Sequence, residues 1–228
     1  NPVSRTMNNN SNEFKNVLSK ATHYVENYVA YSPTQIARGD HLKNDPALGE
    51  RAWSIPKTTG EFLYNLIRKT GSVNGLELGT SIGYSTLWIA AGLDENSKDF
   101  LLTTVERSTE KSQIAKDILS STFPTISFHN EIITNYFATL APDATFDFIF
   151  MDADRGNYKE YWNYMKTFLH EKSIVVIDNA LRDQKSVIEF QDFLSSDHNL
   201  STYLHTMDNG LFIVTKSDGE YSDISSLI

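Results

Sequence analysis

From residue 57 onward, short apolar runs alternate with helical patterns, and each run stops at a polar residue or a glycine. A helix pattern over 57–70 leads into "GLEL" at 75–78, and a second helix pattern covers 83–93. "LLTTVE" (101–106), a helix over 108–122, "ISFH" (126–129) and a short helix over 134–141 repeat the cycle. "FDFIFMD" (146–152), a helix over 157–170 and "SIVVID" (173–178) continue it. Strand-length, β-rich runs separated by helices predict right-handed βαβ crossovers and a parallel sheet covered on both faces. The fold class that follows is a doubly wound α/β domain. The ending differs: after a helix over 184–196, "LSTYLHT" and "LFIVTK" flank Met207, Asp208, Asn209 and Gly210 at a spacing suited to an antiparallel hairpin.

The rest of the chain is simpler. Residues 13–31 carry Phe14, Val17, Leu18, Ala21, Tyr24, Val25, Tyr28 and Val29 at helical spacing, an amphipathic helix for packing or dimerisation. The segment Ser32–Pro56, with three prolines and two glycines, reads as loop with a short helix. Residues 1–12, with the polar run "NNNSN", are expected as a disordered arm or an expression remnant, and 217–228 as an appended polar tail. That leaves one domain over 13–216, with 13–56 as its N-terminal helical segment, in keeping with 228 residues in all. No apolar run approaches the ~20 residues of a bilayer span. A formal charge of −9 opposes attraction to phosphate backbones and anionic lipid, so a small-molecule partner is expected, with neither membrane nor nucleic acid. The absence of cysteine removes disulfides, thiolate nucleophiles and zinc fingers, and the six histidines show no ligand spacing.

In open α/β sheets ligands sit outside the carboxyl ends of the strands, so the residues that close each run carry the chemistry. In "LELGTSIGYS", Gly79 and Gly83 permit close backbone approach to a ligand, and Ser85 with the helix amino end offers donors. The G-x-G-x-x-G fingerprint is absent, and the spacing also suits an ordinary βα turn. Glu106 closes the second strand, where an acid can accept both hydroxyls of a ribose or serve as a solvated or capping group. Asp152 and Asp178 close neighbouring strands, with Asn179 directly after the second. Two carboxylates and an amide oxygen are hard ligands suited to Mg²⁺ or Ca²⁺ rather than zinc. Alternatively, Asp154 or Asn157 caps the following helix and Asp178–Asn179 makes a turn. Capping leaves unexplained why Asp152 and Asp178 both interrupt buried runs, where unpaired charge is costly. Trp53, Trp88 and Trp162 read as packing residues, Trp162 also as a pocket wall.

Together these strand ends resemble the cation-dependent O-methyltransferases of the catechol and caffeoyl-coenzyme A type, which use S-adenosylmethionine. "LELGTSIGYS" is similar to that family's L-E-I-G-x-x-x-G-Y-S, "MDADRGNY" to its D-A-D-K-x-N-Y, and "IDNAL" to its D-N-x-L. "TTGEFL" and "DNGLFIVTK" add to a similarity that spans Thr59 to Lys216. The resemblance implies a Rossmann-like, seven-stranded sheet with an antiparallel last strand, the class I methyltransferase fold. It implies cofactor contacts at Glu77, Gly79, Thr80, Gly83, Ser85, Glu106, Ile133 and Asp154, and metal ligation by Asp152, Asp178 and Asn179. It further implies S-adenosyl-L-methionine and a divalent cation (Mg²⁺, with Ca²⁺ or Mn²⁺ as alternatives), a cytoplasmic homodimer, and transfer to a small catechol-like acceptor with Asp152 and Arg155 as catalytic residues.

The chain departs from the pattern at Arg155, which stands where the family has a lysine and which stays protonated, so it cannot act as a general base. Metal acidification of a catechol, or a carboxylate acceptor gripped by an arginine fork, would each dispense with that base. A second departure is the short segment "ALRDQ" after Asn179, where the family has a Trp and a long substrate loop. A third is "FHNEII", where Ile133 takes the place beside the adenine. Arg38 and His41 lie where family members contact substrate. The alternatives to a catechol acceptor are carboxyl methylation, methylation of a tRNA hydroxyuridine, and a non-catalytic cofactor-binding homologue.

Overall fold

The computed structural model describes residues 8–43, 50–182 and 185–228, without the side chain of His41. The first seven residues of the expected arm thus lie outside the described residues. Helix α1 (Asn12–Asn27) begins where the Ser11 side chain accepts a bond from the Phe14 N–H. A two-residue strand β1 (Val29–Ala30), at the end of the stretch expected as helix, then pairs antiparallel with β2 (Glu50–Arg51), which lies inside the segment expected as loop. Helix α2 (Pro33–Ala37), with a Ser32–Gln35 capping box, is the short helix expected there.

The main sheet uses seven strands, β3 (Asn74–Leu78), β4 (Leu101–Val105), β5 (Ile126–His129), β6 (Phe146–Met151), β7 (Leu169–Asp178), β8 (Leu200–His205) and β9 (Leu211–Lys216). Their order is β5-β4-β3-β6-β7-β9-β8, and β9 runs antiparallel to both its neighbours. The doubly wound class and the reversed last strand are therefore as expected. The order reverses between β3 and β6, so their carboxyl ends form the crevice in which such sheets bind ligands.

Strand alternation sorts side chains onto two faces. Leu76 and Leu78 of β3 join Ile149 and Met151 of β6 and Val175 and Ile177 of β7 in one core layer. That layer is covered by α6 (Ile133–Thr139), α7 (Tyr158–Met165) and α8 (Lys185–Ser195). Phe148, Phe150, Ile174 and Val176 point to the other face, under α3 (Lys57–Thr70), α4 (Tyr84–Asn96) and α5 (Thr109–Leu119). Helix α4 is buried on every side from Tyr84 to Asp94, because α1 covers it from outside, with the Phe14 and Trp88 rings edge-on at 4.9 Å. Packing is thus the observed use of α1.

Three boundaries differ from the sequence-based expectation, the first being that the helix expected over 13–31 ends at Asn27 and gives way to β1. The helix expected over 157–170 ends early: a 3₁₀ turn at Lys166–Phe168 follows α7, and β7 already starts at Leu169. The residues after Lys216, expected as an appended tail, dock on α3: the Tyr221 hydroxyl donates to the Thr70 carbonyl at 2.8 Å, Lys69 Nζ donates to the Ser226 carbonyl at 2.7 Å, and Ile224 is buried.

Where β3 ends, Gly79 has φ +102°, and a Cβ there would stand 2.1 Å from the Asp152 backbone oxygen. The missing side chain lets the ends of β3 and β6 touch. Gly71, with φ +67°, has nothing within 4 Å and isolates the backbone contribution. In urea denaturation Gly79→Ala is expected to cost about 3 kcal/mol, from overpacking and positive φ together, against about 1 kcal/mol for Gly71→Ala. Equal losses would contradict the steric account.

Candidate active site

Glu77 alternates with Leu76 and Leu78 and so points its carboxylate into the apolar layer under α4. In register it lies between Thr104 of β4 and Phe150 of β6. Burial is complete, and three hydroxyls compensate it: Ser85 Oγ donates to Oε1 at 2.5 Å, while Thr86 Oγ1 and Thr104 Oγ1 donate to Oε2 at 2.5 and 2.6 Å. Thr104 thereby uses its only proton, so its 2.5 Å bond with Thr80 Oγ1 has Thr80 as donor. The chain of hydroxyls ties the turn after β3, the first turn of α4 and the neighbouring strand to one carboxylate. Burial raises the Glu77 pKa to about 7, and the three donors oppose that rise.

Above this buried knot lies the turn Gly79–Gly83, in which Ser81 adopts φ +48°. Both oxygens of Glu106 accept backbone N–H groups, from Ser81 and from Ser108, each at 2.8 Å. Glu106 is thus fixed beyond the end of β4, and a carboxylate has lone pairs beyond those two bonds. Gly79, Thr80, Ser81, Ser85, Glu106, Ile133, Asp152 and Asp154 line one cavity of about 990 Å³, into which Trp53, Arg107, Lys111, Arg155 and Arg182 also project. The Ser81 hydroxyl is buried in this lining without a hydrogen-bond partner among the described residues.

At the other end Asp152, Asp154, Arg155 and Arg182 line the cavity, whereas Asp178 and Asn179 are buried beside Asp152 and do not line it. Asn179 Nδ2 donates to Asp152 Oδ1 at 2.9 Å and to Asp178 Oδ2 at 3.0 Å, so one amide group bridges the two strand-end acids. Asn179 has φ +65°, a conformation that asparagine tolerates better than most residues. Burial raises the pKa of both acids; the charge of Asp178 raises Asp152 further, and Arg155 opposes the rise in each. The Tyr158 hydroxyl and Arg155 Nε, both close to the acids, are buried without side-chain hydrogen-bond partners among the described residues.

The two outlying motifs now have a structural role. Thr58 and Thr59 of α3 donate their hydroxyls to Asp208 Oδ2 at 2.6 and 2.7 Å, which lowers the Asp208 pKa. The turn that carries Asp208 also accepts the Ala180 N–H at Gly210 and the Leu181 N–H at Asn209, 3.0 and 2.8 Å away. "TTGEFL" and "DNGLFIVTK" therefore clamp together and hold the segment that follows Asn179.

Several expected residues carry a structural role in the fold. Glu77 is sealed beneath the turn and does not line the cavity. A Cβ on Gly83 would meet Leu119 Cδ1 at 2.9 Å and Ala115 Cβ at 3.0 Å, so this glycine serves the packing of α4 on α5. Ser85 spends its proton on Glu77. Asp154 caps the 3₁₀ turn Arg155–Asn157, accepting from Gly156 N at 3.3 Å and Asn157 Nδ2 at 2.8 Å, which realises the capping alternative for that residue. Trp53, expected as packing, is 77% exposed at the cavity, whereas Trp88 and Trp162 are buried. Arg38 ends α2 away from the cavity, and the His41 side chain lies outside the described residues. Sequence reasoning missed Lys111, which is buried, pairs with Glu50 and lies 6.0 Å from the Tyr28 ring centroid, and it missed Arg182. Neither carries a local pattern signal.

Residues 44–216 match the family model described as O-methyltransferase. Over 179 residues, 76% of this chain and 78% of the relative, the chain is 27% identical to a catechol O-methyltransferase of Niastella koreensis. It is 31% identical over 140 residues to caffeoyl-CoA O-methyltransferase 1 of Arabidopsis thaliana, covering 57% of this chain and 52% of that one. In fold it resembles an O-methyltransferase of Bacillus cereus solved in complex with SAH (TM-score 0.67, 20% identity, 89% of this chain and 99% of that one). It also resembles TomG of Streptomyces achromogenes solved with SAM (TM-score 0.66, 21% identity, 90% and 99%).

The Glu77 knot sets a pH dependence. Its folded-state pKa is about 7 against an ordinary 4.5, so between these values the folded chain holds the proton more tightly than the unfolded chain. The contribution favours folding below the lower value and is lost as pH rises through the upper one. Stability of the wild type relative to Glu77→Gln is therefore expected to fall by about 3 kcal/mol across that window. Urea denaturation at a series of pH values checks this; a difference independent of pH would contradict it.

Proposed function

This chain belongs to the O-methyltransferase family, and we propose that it transfers the methyl group of S-adenosylmethionine to one hydroxyl of a small catechol-like acceptor with the help of a divalent cation. The observation that carries the proposal is the single cavity that joins the glycine turn and Glu106 to Asp152 and Arg155 across the switch point of the sheet. On the donor side, Glu106 would accept the ribose hydroxyls, and the Ser81 hydroxyl, without a partner among the described residues, and the start of α6 at Ile133 would offer polar and apolar contacts around them. Glu77 and Thr80 act from below by fixing the turn.

On the acceptor side, Asp152, Asp178 and Asn179 would hold the cation, Mg²⁺ first and Ca²⁺ or Mn²⁺ as alternatives. Among the described residues no three His, Cys, Asp or Glu side chains gather as a metal group, and the proposed set is accordingly two acids and one amide oxygen. The donor chemistry fits: two mutually repelling acids already share one bridging amide, and turning that amide about offers them a third oxygen. When bound, the cation would lower the pKa of an acceptor hydroxyl and fix its orientation.

The displacement itself needs alignment rather than covalent help: the acceptor oxygen forms the new bond to the methyl carbon while the sulfur keeps the electron pair of the broken one. Arg155 cannot remove the hydroxyl proton, which leaves to water. Its guanidinium instead remains a donor that offsets negative charge on the acceptor oxygen.

With labelled S-adenosylmethionine, Mg²⁺ and a panel of catechols, labelled ether is expected, with transfer abolished by chelator and restored by excess Mg²⁺. Asp152→Ala is expected to lower transfer at least about 10²-fold. Transfer that persists in chelator would reject the cation's part; the absence of transfer to every acceptor would reject the proposal.

A further inference from the structure

The chain from Glu50 to Thr59 crosses the cavity as a strap tied at both ends. At one end the β1–β2 ribbon is fixed to the start of α5: the Tyr28 hydroxyl, just before β1, donates to Glu110 Oε2 at 3.0 Å, and Glu50 of β2 pairs with the buried Lys111. At the other end Thr58 and Thr59 of α3 hold Asp208, in the turn that also carries the segment after Asn179. The strap therefore runs from the β4–α5 side of the sheet to the β7–β9 side, and Glu50, Trp53, Ser54 and Ile55 line the cavity as it passes. Ala52 and Ile55 are buried and anchor it in the core, while Trp53 between them is 77% exposed.

Two other aromatic side chains, Tyr84 and Tyr161, line the cavity among the described residues, and both are buried in its wall. Trp53 is the aromatic ring that a bound molecule can still cover, with the apolar area of an indole to gain. What the ring meets follows from strand order. Glu106 follows β4, the glycine turn follows β3 and Asp152 follows β6, and these strands lie side by side as β4-β3-β6. With the ribose on Glu106 and the acceptor beside Asp152, the sulfur that carries the methyl group lies between them, over the glycine turn, and the strap crosses this middle. A sulfonium is a cation without N–H or O–H groups, so it cannot donate such a hydrogen bond. The face of a tryptophan ring is the best aromatic partner for a charge of that kind.

We infer that Trp53 is a donor-binding residue whose indole lies against the sulfonium of bound S-adenosylmethionine, held there by the strap. This rests on the proposed function and deepens it. The lining also carries charge, with Asp152, Asp154 and Glu160 set against Arg155 and Arg182, and each of these acts on the sulfonium whatever side chain stands at position 53. Substitution of Trp53 leaves them in place, so the part played by the ring can be separated from theirs.

Isothermal titration of the full chain with Mg²⁺ and without acceptor tests the inference. The two probes are S-adenosylmethionine and S-adenosylhomocysteine, which share nucleoside and amino acid but differ in the charge on sulfur. In Trp53→Leu, which keeps apolar cover but no aromatic face, affinity for S-adenosylmethionine relative to S-adenosylhomocysteine is expected to fall by between about 3-fold and about 30-fold. Trp53→Phe, which keeps a ring at the same exposed position, is expected to lose less. Equal losses for the two probes in Trp53→Leu would show cover without recognition of the charge and overturn the inference. Affinities unchanged from the wild type would overturn it as well, and both results leave the proposed function standing. A wild-type chain that binds neither probe removes the proposed function and the inference together.

Discussion

A carboxylate buried inside an apolar layer, held by three hydroxyls, is the constraint on which the rest of the site depends. Glu77 faces the layer that Phe148 and Phe150 fill on the next strand, and without donors its burial would be prohibitive. Ser85 and Thr86 bring the first turn of α4 down onto it, and Thr104 brings β4 beside it. Thr80 joins through Thr104, which leaves the backbone of the glycine turn one conformation in which to face the cavity. Glu106 then ties the same turn from the other side by accepting the Ser81 N–H. The turn is clamped between two acids, one sealed beneath and one open to ligand.

Much of this was legible from sequence, because a doubly wound sheet makes strand ends converge. Asp152 and Asp178 could be paired before any coordinates, since each terminates an apolar run and the runs are neighbours in the expected order; they lie one Asn179 amide apart. Glu77 was legible as important but not in its role. The alternation in "LEL" turns it away from Leu76 and Leu78, yet its partner Thr104 comes from strand register, which no local pattern reveals. The ribbon β1–β2 escaped because two-residue strands leave no periodicity, and the early start of β7 escaped because His170, Glu171 and Lys172 read as a helix end rather than as a half-exposed strand. Arg182 and Lys111 look like any surface cation in the sequence; the fold alone carries them to the cavity.

The cavity is chemically divided, and the division follows the topology. The β3–β4 side offers a fixed carboxylate and turn backbone, suited to a neutral, hydroxyl-rich nucleoside. On the β6–β7 side Asp152, Arg155 and Arg182 line the cavity, with Asp178 and Asn179 buried beside Asp152. The arginine in the lysine position is intelligible only in that second setting. A permanent donor has no use as a proton acceptor, but it has one as a partner for negative charge.

The most direct test is a crystal structure of the chain with S-adenosylhomocysteine and Mg²⁺. The expected density shows the ribose hydroxyls on Glu106 and an ion among Asp152, Asp178 and Asn179, with the Asn179 amide turned to present its oxygen. A nucleoside bound elsewhere, or an Asn179 amide that still bridges the two acids with no ion between them at saturating Mg²⁺, would contradict the account.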